Sequence, residues 1–318
     1  MVPLRPFCST SFTKRSKQIY KMFDIAANLS DEKFSGIYGK RVHEPDHGIV
    51  VERARKYGVE RLLLVGGYID DAKVSYDLAK KFGNCYVTIG VHPCRATEVF
   101  KNGGTVEEYQ EAIERTIHDH FQDKSRLVAI GECGLDYDRF QFADKETQMA
   151  VFPFHFELAK KYELPMYLHS RATGLEFINI VRENRDMFPT GVVHSFTGEE
   201  DELKEIIDLD LYVGVNGCSM KTEENCEIVK KIPLERIMLE SDCPYCDIRN
   251  SHFSSQYVKT KIPSVRKRRY NPNKMCKERN EPCTMIQVLE AVAGIKGIPE
   301  KEVAEAAWSN TMRMFKLE

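Results

Sequence analysis

A (β/α)8 barrel, the TIM-barrel member of the α/β class, is the fold that this 318-residue sequence predicts. Three observations predict it. Eight short runs rich in Val, Ile, Leu and Tyr recur along the chain, Gly or polar residues lie at or near their ends, and segments of helical spacing separate them. The runs are too continuously apolar for strands with one wet face, so they read as parallel strands covered by helices.

The predicted strands are residues 23–29, 61–67, 85–93, 127–136, 165–170, 191–196, 211–217 and 237–244. Helix starts are marked between them. Thr105 with Glu108, Thr173 with Glu176 and Thr197 with Glu200 have the capping-box spacing, in which hydroxyl and carboxylate satisfy otherwise orphaned N–H groups. Residues 144–162 and 299–315 read as long amphipathic helices, with Pro299 at a first helical position. An open doubly wound sheet is the structural rival, but no Gly-rich nucleotide cradle follows any predicted strand.

Composition excludes other classes. With 46 basic and 48 acidic residues and 42% hydrophobic residues, the chain is neither disordered nor collagen-like, and its length excludes a disulfide-stapled mini-protein. No apolar run approaches the roughly 18–20 residues of a membrane-spanning helix. Ten cysteines scattered through apolar runs point to a reducing, intracellular compartment, nucleus or cytoplasm. Residues 1–22 carry five basic residues, no acid and several Ser and Thr; this is the composition of a mitochondrial transit peptide or of a basic leader, and the barrel domain is placed at 23–318. Residues 259–279 hold nine basic residues against Glu278 alone, with Pro263 and Pro272, and read as a basic loop inserted after the eighth strand.

Barrels of this kind build their active sites at the C-terminal strand ends. Here the third run ends Gly90-Val91-His92-Pro93 and the fourth passes through Gly131-Glu132-Cys133-Gly134. The fifth ends at His169, the sixth at His194, and the eighth at Glu240-Ser241-Asp242. A lone strand-end histidine is commonly a satisfied rim residue, and His92 by itself would read so. Glu132, His169, His194 and Asp242 together are a mixed nitrogen and oxygen set that suits Mn2+, Zn2+ or Mg2+. Glu132 can bridge two ions through its two oxygens, while His169 and His194 can each give one ring nitrogen. Cys243-Pro244-Tyr245-Cys246 has the spacing of thiol–disulfide enzymes, but no helix start or thioredoxin-sized unit surrounds it, and both cysteines read as incidental.

Read in order, these strand ends, together with Arg279-Asn280-Glu281-Pro282, resemble the TatD family of metal-dependent deoxyribonucleases from Phe23 to nearly the C-terminus. The resemblance implies a TIM-barrel hydrolase that cleaves DNA with up to two divalent ions, often as a 3′–5′ exonuclease on single strands or damaged ends. Roles in DNA repair and in DNA fragmentation during cell death go with it. By resemblance, Glu132 contacts both metals, His169 and His194 bind one, and Asp242 binds the other and activates water, which makes Asp242 and Glu132 the catalytic pair. His92 and Arg171 fall near the substrate phosphate.

Many family members begin with Asp-x-His-x-His, whereas this chain reads Asp24-Ile25-Ala26-Ala27-Asn28, as a subset of the family does. Ala26 cannot ligate and the Asn28 amide offers only a weak oxygen, an arrangement that suits Mg2+ held by Glu132, Asp242, waters and the DNA phosphate. Arg266, Lys267, Arg268 and Arg269 are expected to contact DNA phosphates, the rival reading being a nuclear-localisation signal. Two other classes share these residues: a metal-dependent hydrolase of a small ester, lactone or amide, and a non-catalytic DNA-binding relative.

Overall fold

A computed structural model describes residues 19–317; the bulk of the predicted leader lies outside the described residues. Eight parallel strands follow one another in sequence order around the sheet. They are β1 (Met22–Ala27), β2 (Val59–Leu64), β3 (Cys85–Ile89), β4 (Leu127–Asp136), β5 (Met166–Arg171), β6 (Gly191–His194), β7 (Tyr212–Val215) and β8 (Ile237–Leu239). Outside them lie α1 (His47–Lys56), α2 (Ile69–Phe82), α3 (Val106–Asp119), α4 (Lys145–Val151) and α5 (Phe154–Tyr162). The ring continues with α6 (Leu175–Glu183), α7 (Glu200–Asp208), α8 (Glu223–Lys231), α9 (Met285–Lys296) and α10 (Glu300–Met314).

The sequence overestimates the third and eighth strands because the apolar run continues past the ladder. Gly90, Val91, Glu240 and Ser241 are buried like strand residues but belong to the barrel mouth. The first strand starts one residue earlier than read, at Met22. Of the three predicted capping boxes only Thr105 with Glu108 forms. The Thr173 hydroxyl pairs instead with Ser170 Oγ at 2.8 Å, and α7 is capped by Glu199 with Glu202. The predicted helix 144–162 divides at Pro153, which has no N–H to continue it. Pro299 is the N-cap residue, just outside α10.

Two apolar layers hold the barrel. Phe23, Ile25, Leu63, Val65, Tyr167 and Met238 fill its interior, and Met312, Met314 and Phe315 from the end of α10 pack on that inner core. A larger layer of buried residues lies between strands and helices. With the interior filled in this way, the C-terminal strand ends are left as the open mouth.

The seam between β8 and β1 is closed largely by side chains. Buried Asp24 accepts the Ser241 N–H at 2.8 Å and the Ser241 hydroxyl at 2.5 Å, and Ala27 forms a single bridge with Cys243. Burial pushes the Asp24 carboxyl up to about 7, against the pull of its Ser241 hydrogen bonds.

The basic insertion is more ordered than a plain loop. Residues Ser264–Val265 and Met275–Cys276 pair as two short parallel strands, β9 and β10. Arg279, counted there among the charges, is fully buried over Phe34, with Nη1 2.6 Å from Asp46 Oδ1 and Nη2 2.9 Å from Glu281 Oε1. Its neighbour Asn280 donates to Ser241 O at 2.9 Å. The Arg279-Asn280-Glu281 segment is therefore a structural brace behind the mouth, and its charge is internally neutralised.

Candidate active site

Glu132 reaches the mouth through a local irregularity of β4. Gly131 pairs with Tyr167 and Cys133 with Leu168, so Glu132 is an extra residue between two neighbours of β5, a bulge that re-aims its side chain. Only glycine fits on either side. A Cβ at Gly131 (φ +135°) would come within 2.1 Å of Tyr167 O, and one at Gly134 (φ +144°) within 1.9 Å of His169 O. His169 and His194 are register partners on β5 and β6, so their side chains leave the sheet side by side. Behind β3, buried His155 accepts the Val91 N–H at 2.9 Å and so fixes the backbone that carries His92.

One oxygen of Glu132 is surrounded by imidazoles. Its Oε1 lies 2.7 Å from His194 Nε2, 2.9 Å from His169 Nδ1 and 3.2 Å from His92 Nε2. His169 Nδ1 and His194 Nε2 are 3.1 Å apart, and two ring nitrogens that close repel unless a proton or cation lies between them. Buried carboxylates flank the group: His169 Nε2 is 3.3 Å from Asp136 Oδ2, and His194 Nδ1 is 3.7 Å from Glu240 Oε1. Glu240 also accepts the Ser195 N–H and the Asn216 amide, which fix its orientation.

The electrostatics follow from this packing. Burial alone would raise Glu132, but His194, His92 and His169 hold it well below the usual carboxylate range. Burial would equally lower the imidazoles, yet Glu132 and Glu240 raise His194 well above its ordinary value. Hydrogen bonds to Asp136 and Glu132 raise His169, and Glu132 raises His92. A divalent ion bound among these donors would compete with protons for the same imidazole nitrogens and carboxylate oxygens. Donor atoms of His92, Glu132 and His169 all lie within 4.8 Å of one another, a spacing one cation can span. The residues present fit a metal.

Asp242 stands apart from this group, on the loop after β8. The Asn28 amide donates to its Oδ1 at 3.0 Å and to Cys243 O at 3.0 Å, while the Cys246 thiol donates to its Oδ2 at 3.1 Å. The residue has a left-handed backbone (φ +48°), which Asp tolerates better than most. Burial pushes its carboxyl up to about 6, with His194 pulling the other way.

Several expectations change here. The Asn28 amide nitrogen turns to Asp242 and the Cys243 carbonyl. The Cys246 thiol, read as incidental, touches Asp242. His92 joins the Glu132 cluster directly. Arg171 sits at the rim with Nη2 2.6 Å from Asp138 Oδ2, and Arg266, Lys267, Arg268 and Arg269 lie outside the cluster. Sequence reading missed Asp136 and the Glu240 contact; alternation along β4 puts Gly134 and Asp136 on one face, whereas Glu240 and Asp242 lie beyond the end of β8, where alternation gives no such sign.

Among known proteins, the family model of TatD-related DNases matches residues 23–316. The protein called Deoxyribonuclease Tat-D from Schizosaccharomyces pombe is 38% identical over 93% of this chain and 96% of its own length. The 3′-5′ ssDNA/RNA exonuclease TatD of Yersinia pseudotuberculosis is 30% identical over 93% and 100%. Among solved structures, a TatD-family hydrolase from Entamoeba histolytica superposes with a TM-score of 0.86 at 33% identity, covering 93% of this chain and 98% of the other.

Proposed function

The chain belongs to the TatD family of deoxyribonucleases, and from that membership we propose that it hydrolyses DNA phosphodiester bonds with a divalent metal, as a 3′–5′ exonuclease. One observation carries the reading: a single buried carboxylate oxygen ringed by three imidazoles at the C-terminal mouth of the barrel. Glu132, His169 and His194 would hold the metal, with His92 beside them, and Asp242 would complete the site from the loop after β8. The imidazole-rich side suits Mn2+ or Zn2+, and the side between Glu132 and Asp242 suits Mg2+, which keeps most of its waters.

A bound divalent ion supplies positive charge for the phosphate and lowers the pKa of water. The chain's own residues do the rest. Asp242, with both oxygens fixed by neutral donors, orients the attacking water and takes its proton. Asp136 holds His169 in the orientation that points its Nδ1 inward, and Glu240 places a negative charge behind His194. His92 and Arg171 steady the phosphate. The nine described cysteines are all unpaired, which fits an intracellular setting. No helix among the described residues is long and apolar enough to cross a membrane. An activity on single strands and ends suits DNA repair or the fragmentation of DNA in cell death.

The test is digestion of an end-labelled single-stranded oligonucleotide in Mg2+, Mn2+ or EDTA, with wild type and Glu132→Ala. Stepwise shortening from the 3′ end that requires metal and Glu132 is expected. Hydrolysis of small esters with none of DNA would replace the reading.

A further inference from the structure

A second site is built where two loops of the same rim meet. The loop after β1 turns sharply at residues 37–41, closed by the Ile37–Arg41 bridge and Gly39 in a left-handed conformation. It faces the basic insertion that follows β8. Between them is a cavity of about 430 Å3 lined by Tyr38, Lys40, Arg41, Val42, Lys267 and Arg268. Four of these six are cations and none is an acid.

The walls are held in place. Lys267 Nζ lies 4.8 Å above the Tyr38 ring, and its backbone N–H donates to Glu278 at 3.0 Å. Behind Tyr38, His43 is stacked on Tyr270 of the insertion at 4.0 Å, which ties the two loops together. Arg41 leans on Ser35 O at 3.2 Å and on Glu44 at 3.9 Å. Among the described residues, no carboxylate lies within 4.0 Å of the cationic groups of Lys40, Lys267 or Arg268. Arg279, in the same insertion, shows the contrast: its guanidinium is paired inside the protein with Asp46 and Glu281. Uncompensated cations around a concavity repel one another and are relieved by a bound polyanion.

We propose that this cavity is a subsite for the phosphate backbone of single-stranded nucleic acid, separate from the metal cluster. Its ligand class follows the reading of the chain as a nuclease. The volume accommodates a nucleotide unit rather than a lone inorganic anion. The loops that form it also carry Asn28 and Asp242, so a strand engaged at the mouth has the cavity on the β8–β1 side. Recognition of Arg266–Arg269 by an import receptor needs an extended segment, whereas Lys267–Arg269 form a tight turn docked on Tyr38.

The experiment is fluorescence anisotropy with labelled oligo(dT) of 4 and 20 nucleotides, on the full chain in EDTA, so that neither cleavage nor the metal contributes. Wild type is compared with Lys267→Ser/Arg268→Ser and, from the other wall, Lys40→Ser/Arg41→Ser, each checked for folding by circular dichroism. For each folded variant, 20-mer affinity should fall about tenfold at low salt, and the log–log salt slope should flatten by about 1.4 for two lost cations. The 4-mer should lose less. Unchanged affinity and slope in either folded pair would overturn the subsite, as would equal competition by inorganic pyrophosphate and the 20-mer. Cation-dependent binding by a protein that cleaves no DNA in Mg2+ or Mn2+ would support the subsite while removing the nuclease reading.

Discussion

Glu132 and Asp242 face the same mouth, but their surroundings are opposite. On the β3–β6 side, three imidazoles crowd one oxygen of Glu132, and Asp136 and Glu240 stand behind them. On the β8–β1 side, no imidazole touches Asp242 among the described residues; the Asn28 amide and the Cys246 thiol hold its two oxygens instead. Glu132 is kept well below the usual carboxylate range and Asp242 is pushed up to about 6, two carboxylates driven apart by environment. The difference teaches that a residue following β1 which is not an imidazole still meets the mouth, through its amide contact with Asp242. In the proposed reaction the first half grips the cation and the second handles the proton of water.

The largest expected effect comes from breaking the imidazole half. His169→Ala or His194→Ala should reduce turnover on single-stranded DNA by about a hundred- to a thousandfold, with metal lost on dialysis and measured by emission spectrometry. Full activity with full metal content in either variant would contradict the division of labour.

A smaller effect is expected from Asn28→Ala, which frees Asp242 without touching the imidazoles. Turnover should fall by about ten- to a hundredfold, the range for residues that orient a functional group, while the metal content stays unchanged. Loss of metal in this variant would show that Asn28 belongs to the gripping half.

The smallest is a pH effect on the support of β3. Burial lowers His155 to about 4, with its hydrogen bond to Phe152 O pulling back, whereas the unfolded side chain titrates near 6.5. Its neutral ring therefore contributes stability that is present above pH 6.5 and lost as pH falls toward 4. Between pH 7 and 5.5 the loss should be about 1 kcal/mol. Urea unfolding of wild type and His155→Gln at both pH values checks it; the variant should show the smaller decline.

How much of this the sequence reveals differs between the two halves as well. The eight runs predict the barrel because strands covered on both faces carry their burial in local composition, and β4 is read to the residue at Leu127–Asp136. Glu132, His169 and His194 are legible because strand ends converge by the rule of the fold. The Asn28 contact to Asp242 is not legible because the direction of an amide depends on Asp242 and Cys243 O, more than 200 residues away in the chain. Arg279 is misread because a count of charges cannot tell a solvated guanidinium from one enclosed by Asp46 and Glu281. Thr173 and Thr197 have capping spacing, but the Thr173 hydroxyl pairs with Ser170 and α7 starts two residues later than Thr197 would cap, behind Glu199.

The central claim is that gripping and proton handling reside in different halves of the mouth, and Asp242→Asn tests it most directly. Bound metal and cleavage of an end-labelled single strand are measured on the same preparation. The account predicts that the ion of the imidazole half is retained while cleavage falls by about a hundredfold or more. Loss of that ion together with cleavage, or cleavage at the wild-type rate, would contradict it.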